Sequence, residues 1–180
     1  AGLQGTFTNL NEWNYVRGWT DEFKYTIKTI HGLKGAAFVM ACITDAQKCD
    51  GIDMLMYYDT RPSAFCGAFD FYTYEPLKTY YTLNWYGKFY DCEKEIRCES
   101  EAEDIYTLCG VDKEGKALCI ITNYSDDDNM TSKDIKIDFG REGKYEIYVV
   151  DEEKDGELIL TTDKLEFNIK PWSFVLIKEI

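Results

Sequence analysis

Gly5-Thr6-Phe7-Thr8-Asn9-Leu10-Asn11-Glu12-Trp13-Asn14-Tyr15 is the stretch on which the reading of this chain turns. Its first seven residues alternate and favour extended backbone, so they predict a β-strand. The strand runs into a polar, aromatic cluster, Glu12-Trp13-Asn14-Tyr15, as a strand does when it delivers side chains to a site. Beyond it, Thr20-Asp21-Glu22 offers an N-cap and acidic first-turn residues, and Phe23, Ile27, Ile30, Leu33, Ala37, Val39 and Met40 recur near helical spacing. The expected helix runs to about Ala46 and is broken or tightly packed near Gly32 and Gly35.

Asp50-Gly51 then turns the chain into Ile52-Asp53-Met54-Leu55-Met56-Tyr57-Tyr58, a short apolar run of the kind buried in parallel sheets. Asp59-Thr60-Arg61-Pro62-Ser63 closes this second strand, and Glu75-Pro76 opens a helix through Tyr80, Tyr81, Leu83, Asn84, Tyr86 and Phe89. Strand, helix, strand, helix is a right-handed parallel crossover, yet two parallel strands cannot cover both their faces. Residues 1–92 therefore read as the end of a larger barrel or doubly wound sheet. Alone, such a pair would cover its edges by homo-oligomerisation or by a rearranged packing.

From residue 93 the pattern changes to short alternating strands: about 94–99, 104–111, 116–123, 134–139, 144–151, 156–161, 164–169 and 173–178. Turn signals such as Asp112-Lys113-Glu114-Gly115 and Arg141-Glu142-Gly143-Lys144 separate them, so an antiparallel β-sandwich is expected over 93–180. The fold class is thus α/β plus all-β. The aromatic stripe from Tyr72 to Tyr90 is expected to seal the first part against the second.

Composition narrows the function. The net charge of −13 is concentrated after residue 92, where 23 acidic and 12 basic side chains lie, against 10 and 8 before it. Such a surface repels phosphate backbones, and no Lys/Arg cluster offsets it, so nucleic acid is excluded as a partner. No apolar run approaches membrane-spanning length, and Ala1-Gly2-Leu3-Gln4-Gly5 lacks the basic start and apolar middle of a secretion signal. Seven cysteines with no Cys-x-x-Cys and a single histidine suggest neither a zinc site nor a disulfide framework. They are expected as buried, reduced thiols, which points to a cytoplasmic compartment, with secretion of a longer parent protein as the alternative. No metal or cofactor is expected. Asp126-Asp127-Asp128-Asn129 lacks the glycine and distal glutamate of a calcium loop and reads as a solvated turn, and His31, mid-helix beside Gly32, as a packed or surface residue.

Leu10-Asn11-Glu12-Trp13-Asn14 places a carboxylate at the C-terminal end of a parallel strand, flanked by a sugar-sized aromatic and two amides. In βα barrels that edge is where catalysis is built, although a glutamate at a strand end is more often simply solvated. Trp13, Trp19, Tyr57 and Tyr58 would form a sugar-stacking platform, or equally pack between sheet and helices. Asn14 and Arg61 would hydrogen-bond sugar hydroxyls or a substrate carboxylate, with a surface ion pair the plainer role for Arg61.

These features together, Glu12-Trp13-Asn14 at a strand end, a helix, an apolar strand ending in Tyr57-Tyr58, a helix start at Pro76-Leu77-Lys78-Thr79-Tyr80-Tyr81 and then a sandwich, resemble the C-terminal part of the retaining (β/α)8-barrel glycoside hydrolases. The β-xylosidase and α-L-iduronidase family is the first match and the arabinofuranosidases the second. The resemblance implies the last two βα units of an incomplete TIM barrel in 1–92, followed by an accessory β-sandwich. It implies that Glu12 is the nucleophile and that the partner acid/base sits on a barrel strand before Ala1, in a missing N-terminal barrel portion. The implied substrate is a carbohydrate of that parent enzyme, and the isolated chain would be inactive. Asn11 stands where the family has Thr or Asp, and the segment after Tyr58 lacks its usual aromatic and Ser-Asp pattern. Asp59 and Asp70 lie on or after the neighbouring strand, not across a barrel mouth, and are poor substitutes for the acid/base. A different class of function is a non-catalytic module whose sandwich binds carbohydrate or protein through aromatics such as Tyr106 or Trp172, but only eight aromatics lie in 93–180.

Overall fold

The computed structural model describes residues 5–62 and 64–180, so the reading of the first four residues lies outside what is described. Strand β1 (Asn9–Trp13) pairs in parallel with β2 (Met54–Tyr57), with Asn9 opposite Met54 and Asn11 opposite Met56. Between them run helices α1 (Phe23–His31) and α2 (Leu33–Gln47), and α3 (Lys78–Gly87) follows β2 and ends in a 3-10 turn over Lys88–Asp91. The alternation of β2 divides its side chains. Leu55 and Tyr57 turn, with Trp13, toward Ile43 of α2 and Leu83 of α3, whereas Met54 and Met56 are exposed on the opposite face.

The expected break in the long helix falls at Gly32, whose extended backbone separates α1 from α2. Gly35 has a different task. A Cβ there would lie 2.2 Å from the Thr29 carbonyl oxygen, so only glycine allows the first turn of α2 to fold against α1. Thr20 is not the N-cap: α1 begins at Phe23 with Glu22 in the cap position and no side-chain cap bond, while Thr20 contributes only its carbonyl, to the Phe23 N–H. The competing turn at 20–23 takes the place that Thr20 would otherwise fill.

All eight sandwich strands form. They are β3 (Lys94–Ile96), β4 (Ile105–Val111), β5 (Ala117–Asn123), β6 (Lys133–Lys136), β7 (Tyr145–Val150), β8 (Asp155–Thr162), β9 (Glu166–Ile169) and β10 (Phe174–Glu179). Six make one antiparallel sheet in the order β3-β4-β5-β10-β7-β8, and β6 with β9 make a small second sheet. The β4–β5 hairpin closes through Asp112–Gly115, where the Asp112 carboxylate accepts the Glu114 and Lys116 N–H groups and Gly115 takes φ 79.

The edge strands β3 and β8 of the large sheet are largely exposed, whereas its central strands are buried on both faces. On one, Cys119, Ile121, Ile147, Val175 and Ile177 pack against Leu165 and Ile169 beside the small sheet. On the other, Ile120, Val150, Phe174 and Leu176 pack against Leu33, Ala36 and Met40 of α2 and Trp85 of α3. Trp85 meets Phe174 edge-on at 5.4 Å. The expected aromatic seal is therefore present in Tyr81, Trp85 and Phe89, with α2 contributing as well, whereas Tyr72, Tyr74 and Tyr90 of the same stripe are exposed and take no part.

A polar knot holds the same junction. Lys34, on α2 and almost fully buried, donates from Nζ to Tyr25 Oη (2.9 Å), the Asp126 carbonyl (2.5 Å) and Asp128 Oδ1 (2.9 Å). Tyr15 and Tyr25 donate their hydroxyls to Asp126 and Asp128. The acidic run is exposed, as a solvated turn should be, and Asp126 and Asp128 also anchor the sandwich to the helices, being the only ion-pair partners of Lys34 among the described residues. Burial alone would lower the Lys34 pKa, but its bonds to Tyr25, Asp128 and Asp126 outweigh burial and push it up to about 12. Tyr25 and Lys34 in turn hold the Asp128 carboxyl below its ordinary range. Among the described residues no helix is long and apolar enough to cross a membrane.

Two predictions follow from this packing. Gly35→Ala is expected to destabilise the chain by about 2 kcal/mol in urea unfolding through overpacking, whereas Gly87→Ala, with nothing within 4 Å of the new methyl, should be neutral or stabilising. Lys34→Ala should cost about 2 kcal/mol by orphaning its partners. Because the Asp128 pKa is depressed and the Lys34 pKa raised, the wild-type advantage over Lys34→Ala is present at neutral pH. It should fall as acid protonates Asp128, and fall again as pH rises through about 12.

Candidate active-site edge at the end of the first strand

Register shifts between Asn11 and Trp13, which makes Glu12 the extra residue of a β-bulge. Its φ of 56 is left-handed, a conformation that costs a side-chain-bearing residue about 1 kcal/mol or more and is concentrated at functional positions. The bulge puts Glu12 at the C-terminal end of a parallel strand with its side chain exposed, and among the described residues its carboxylate has no hydrogen-bond or ion-pair partner. The carboxylate is therefore open to a ligand arriving at that end of the strand pair.

Its neighbours are mostly committed to structure. Trp13 lies between strand and helices, 5.6 Å edge-on from Tyr57 and 6.3 Å from Phe38. The Tyr57 hydroxyl accepts from Asn14 Nδ2 (3.2 Å) and donates to the Cys66 carbonyl (3.3 Å), and burial pushes its pKa up. Both rings pack the layer between sheet and helices, which corrects the expectation of Trp13 and Tyr57 as a sugar platform. Asn14 is corrected likewise. Its amide hydrogens are shared among Tyr57 Oη, the Tyr58 carbonyl (2.6 Å) and the Cys66 carbonyl (3.0 Å), and its Oδ1 accepts the Tyr15 N–H, so it ties the β2 exit loop to β1.

Tyr58 and Trp19 remain exposed, Trp19 lying 6.0 Å from Phe23. Arg61 donates from Nε to the largely buried Asp59 (2.9 Å), the ion pair that was its plainer reading, with the rest of the guanidinium in solvent. Neither internal acid replaces a distant partner. Asp59 is held by Arg61, and Asp70 accepts the Thr73 and Tyr72 N–H groups, which lower its pKa when a catalytic acid needs it raised. His31 bonds the Phe65 carbonyl through Nε2, a packing role.

One constellation escaped the sequence reading. Cys98, Cys109 and Cys119 gather on the sandwich-core face of β4 and β5, with all three sulfurs within 4.8 Å of one another. The three thiols perturb one another: hydrogen bonding within the cluster draws the Cys98 thiol down and holds that of Cys119 up. The cross-strand register that pairs Cys109 with Cys119 is the signal that would have revealed them.

No protein-family model and no curated protein matches the chain. Solved structures match it across nearly its whole length. A glycoside hydrolase family 30 endoxylanase from Clostridium papyrosolvens C71 superposes on 97% of the chain with a TM-score of 0.66 and 12% identity, using 42% of its own length. A family 30 subfamily 8 xylanase from Clostridium acetobutylicum covers 97% at TM-score 0.68 and 10% identity, using 43%. The family 44 endoglucanase Cel44A from Clostridium thermocellum covers 99% at TM-score 0.64 and 10% identity, using 33%. The chain thus has the fold of a portion of these glycoside hydrolases and spans less than half the length of each.

The amide network gives a direct test. Asn14→Ala should cost about 1 kcal/mol, since it removes the side-chain donor to the Tyr58 carbonyl and leaves the Cys66 carbonyl with the Tyr57 hydroxyl alone. Limited proteolysis should then cut faster within residues 58–66, while cleavage in the sandwich is unchanged.

Proposed function

We propose that this chain is the C-terminal part of a retaining glycoside hydrolase, with Glu12 as its nucleophile and the sandwich as a rigid support for the last two βα units of a barrel. The observation that carries the reading is the partner-free Glu12 carboxylate, set by a left-handed bulge at the C-terminal end of a parallel strand. That is the edge at which βα barrels place their chemistry. The likeness in fold to glycoside hydrolases over nearly the whole chain supports it.

In this reading the Glu12 carboxylate attacks the anomeric carbon and forms a glycosyl ester as the glycosidic C–O bond breaks. A second carboxyl, about 5 Å away, protonates the leaving oxygen and then takes a proton from the water that hydrolyses the ester. That second group belongs to an earlier barrel strand. The missing N-terminal barrel portion would cover the exposed Leu10, Met54 and Met56 and pair the open strand edges. Tyr58 and Trp19 are the aromatics free to meet sugar, and the Arg61 guanidinium could take a polar group at the rim. The substrate class is β-linked pentosides, xylosides first. The solved neighbours are named as xylanases and endoglucanases, which supports a carbohydrate substrate.

The alternative, a binding module, loses its main support. Tyr106 is half-buried against Tyr124, and Trp172 packs on the helix side with Nε1 donated to the Ser125 carbonyl, so neither offers a free sugar-binding face.

In the full-length parent, Glu12→Gln should lower kcat on an aryl β-xyloside by about a thousandfold or more. Azide should restore turnover to Glu12→Ala and yield the glycosyl azide of inverted configuration. Undiminished turnover in Glu12→Gln, or an azide product of retained configuration, would overturn the assignment.

A further inference from the structure

The β-sandwich carries a second constellation of chemically reactive groups, unconnected with the Glu12 edge. Cys109 and Cys119 face each other across the β4–β5 ladder, Sγ to Sγ 2.7 Å, and both are buried. Cys98 reaches the same point by strand periodicity. Ile96 of β3 is opposite Cys109, and Cys98, two residues on, returns to the same face. The Cys98 carbonyl accepts the Thr107 hydroxyl at 2.8 Å, which fixes the chain where it leaves β3. Three sulfurs thus converge, two from facing strands and one from the segment that leaves β3, with no disulfide among them.

We propose that Cys98, Cys109 and Cys119 are a three-thiolate site for one thiophilic divalent cation, with zinc as the type. A Zn–S bond of about 2.3 Å places tetrahedral sulfurs about 3.8 Å apart. The observed spread, from 2.7 Å to at most 4.8 Å, reaches that by opening the Cys109–Cys119 pair about 1 Å through side-chain rotation. Among the described residues no His or carboxylate joins the group, so the donor set is soft and selects against magnesium or calcium. The cation's charge follows from electrostatics. Three thiolates and a divalent ion leave a single negative charge. A monovalent ion would leave a second negative charge beside the apolar core.

The fourth coordination position has a route to solvent. Cys98 and Cys109 line a cleft of about 750 Å³ between the 97–102 segment and β6, whose walls include Ile105, Ile121 and Phe139. Water can complete the tetrahedron there. Binding displaces to solvent the protons still held by the thiols and forms three metal–sulfur bonds, with no change of oxidation state.

The reduced, metal-stripped chain, titrated with Co²⁺ and then Zn²⁺, tests this. The expected result is one equivalent of Co²⁺ with a thiolate-to-cobalt charge-transfer band, displaced by zinc, and zinc protection of Cys98 from alkylation. Cys98→Ala should weaken cobalt binding by about 100-fold and abolish the band, while Cys49→Ser, at an exposed cysteine elsewhere, should leave both unchanged. If Cys98→Ala fails to fold, X-ray absorption at the zinc edge of the wild-type chain decides instead, three sulfurs at about 2.3 Å being the expected shell. Cobalt bound without the band, binding indifferent to Cys98→Ala, a zinc shell with fewer than three sulfurs, or a Cys109–Cys119 disulfide that forms in the presence of zinc would overturn the proposal.

Discussion

Everything in this chain is hung on the double-sided burial of β10. Phe174 and Leu176 point to the helices, Val175 and Ile177 to the small sheet, and all four are buried. Each fully buried side chain of this size contributes about 2 kcal/mol. Divided between two faces, the four bind three layers into one body. Because α2 and α3 sit on the sheet through Met40, Trp85 and Phe174, the parallel pair beneath those helices is held in place by the sandwich. The Lys34 knot fixes the same junction by direction, since a buried ammonium with Asp126 and Asp128 as its anions tolerates few alternative arrangements.

This arrangement explains how an otherwise unsupported strand pair can present a strained residue. Burial on the helix side, through Trp13, Tyr57 and the Asn14 amide network, over-determines the backbone on either side of Glu12 and offsets its left-handed conformation. The opposite face keeps Met54, Met56 and Leu10 exposed. That asymmetry is the reason for reading the chain as part of a longer protein, and it agrees with a fold match that uses less than half of each glycoside hydrolase compared.

Periodicity made much of this legible in the sequence. The alternation of 104–111, 116–123 and 173–178 yields β4, β5 and β10, and the break at Gly32 follows from glycine's poor helix propensity. Contacts between distant elements were not legible. Asp126 and Asp128 read as a solvated turn because nothing local reveals that Lys34, 92 and 94 residues earlier, lies above them. The same limit applies to Asn14, whose partners at Tyr58 and Cys66 are far along the chain. The cysteine trio was hidden for a subtler reason. It depends on the hairpin register set at Asp112–Gly115, and a slip of one residue would send Cys119 to the helix side.

The central claim is that Glu12 forms a covalent bond to sugar, and trapping tests it most directly. The full-length parent, incubated with a 2-deoxy-2-fluoro-β-xyloside bearing a good leaving group, should accumulate one fluorosugar per protein, and peptide mass spectrometry should place it on Glu12 as an ester. A label on any other carboxylate, or inhibition with no covalent adduct, would contradict the account.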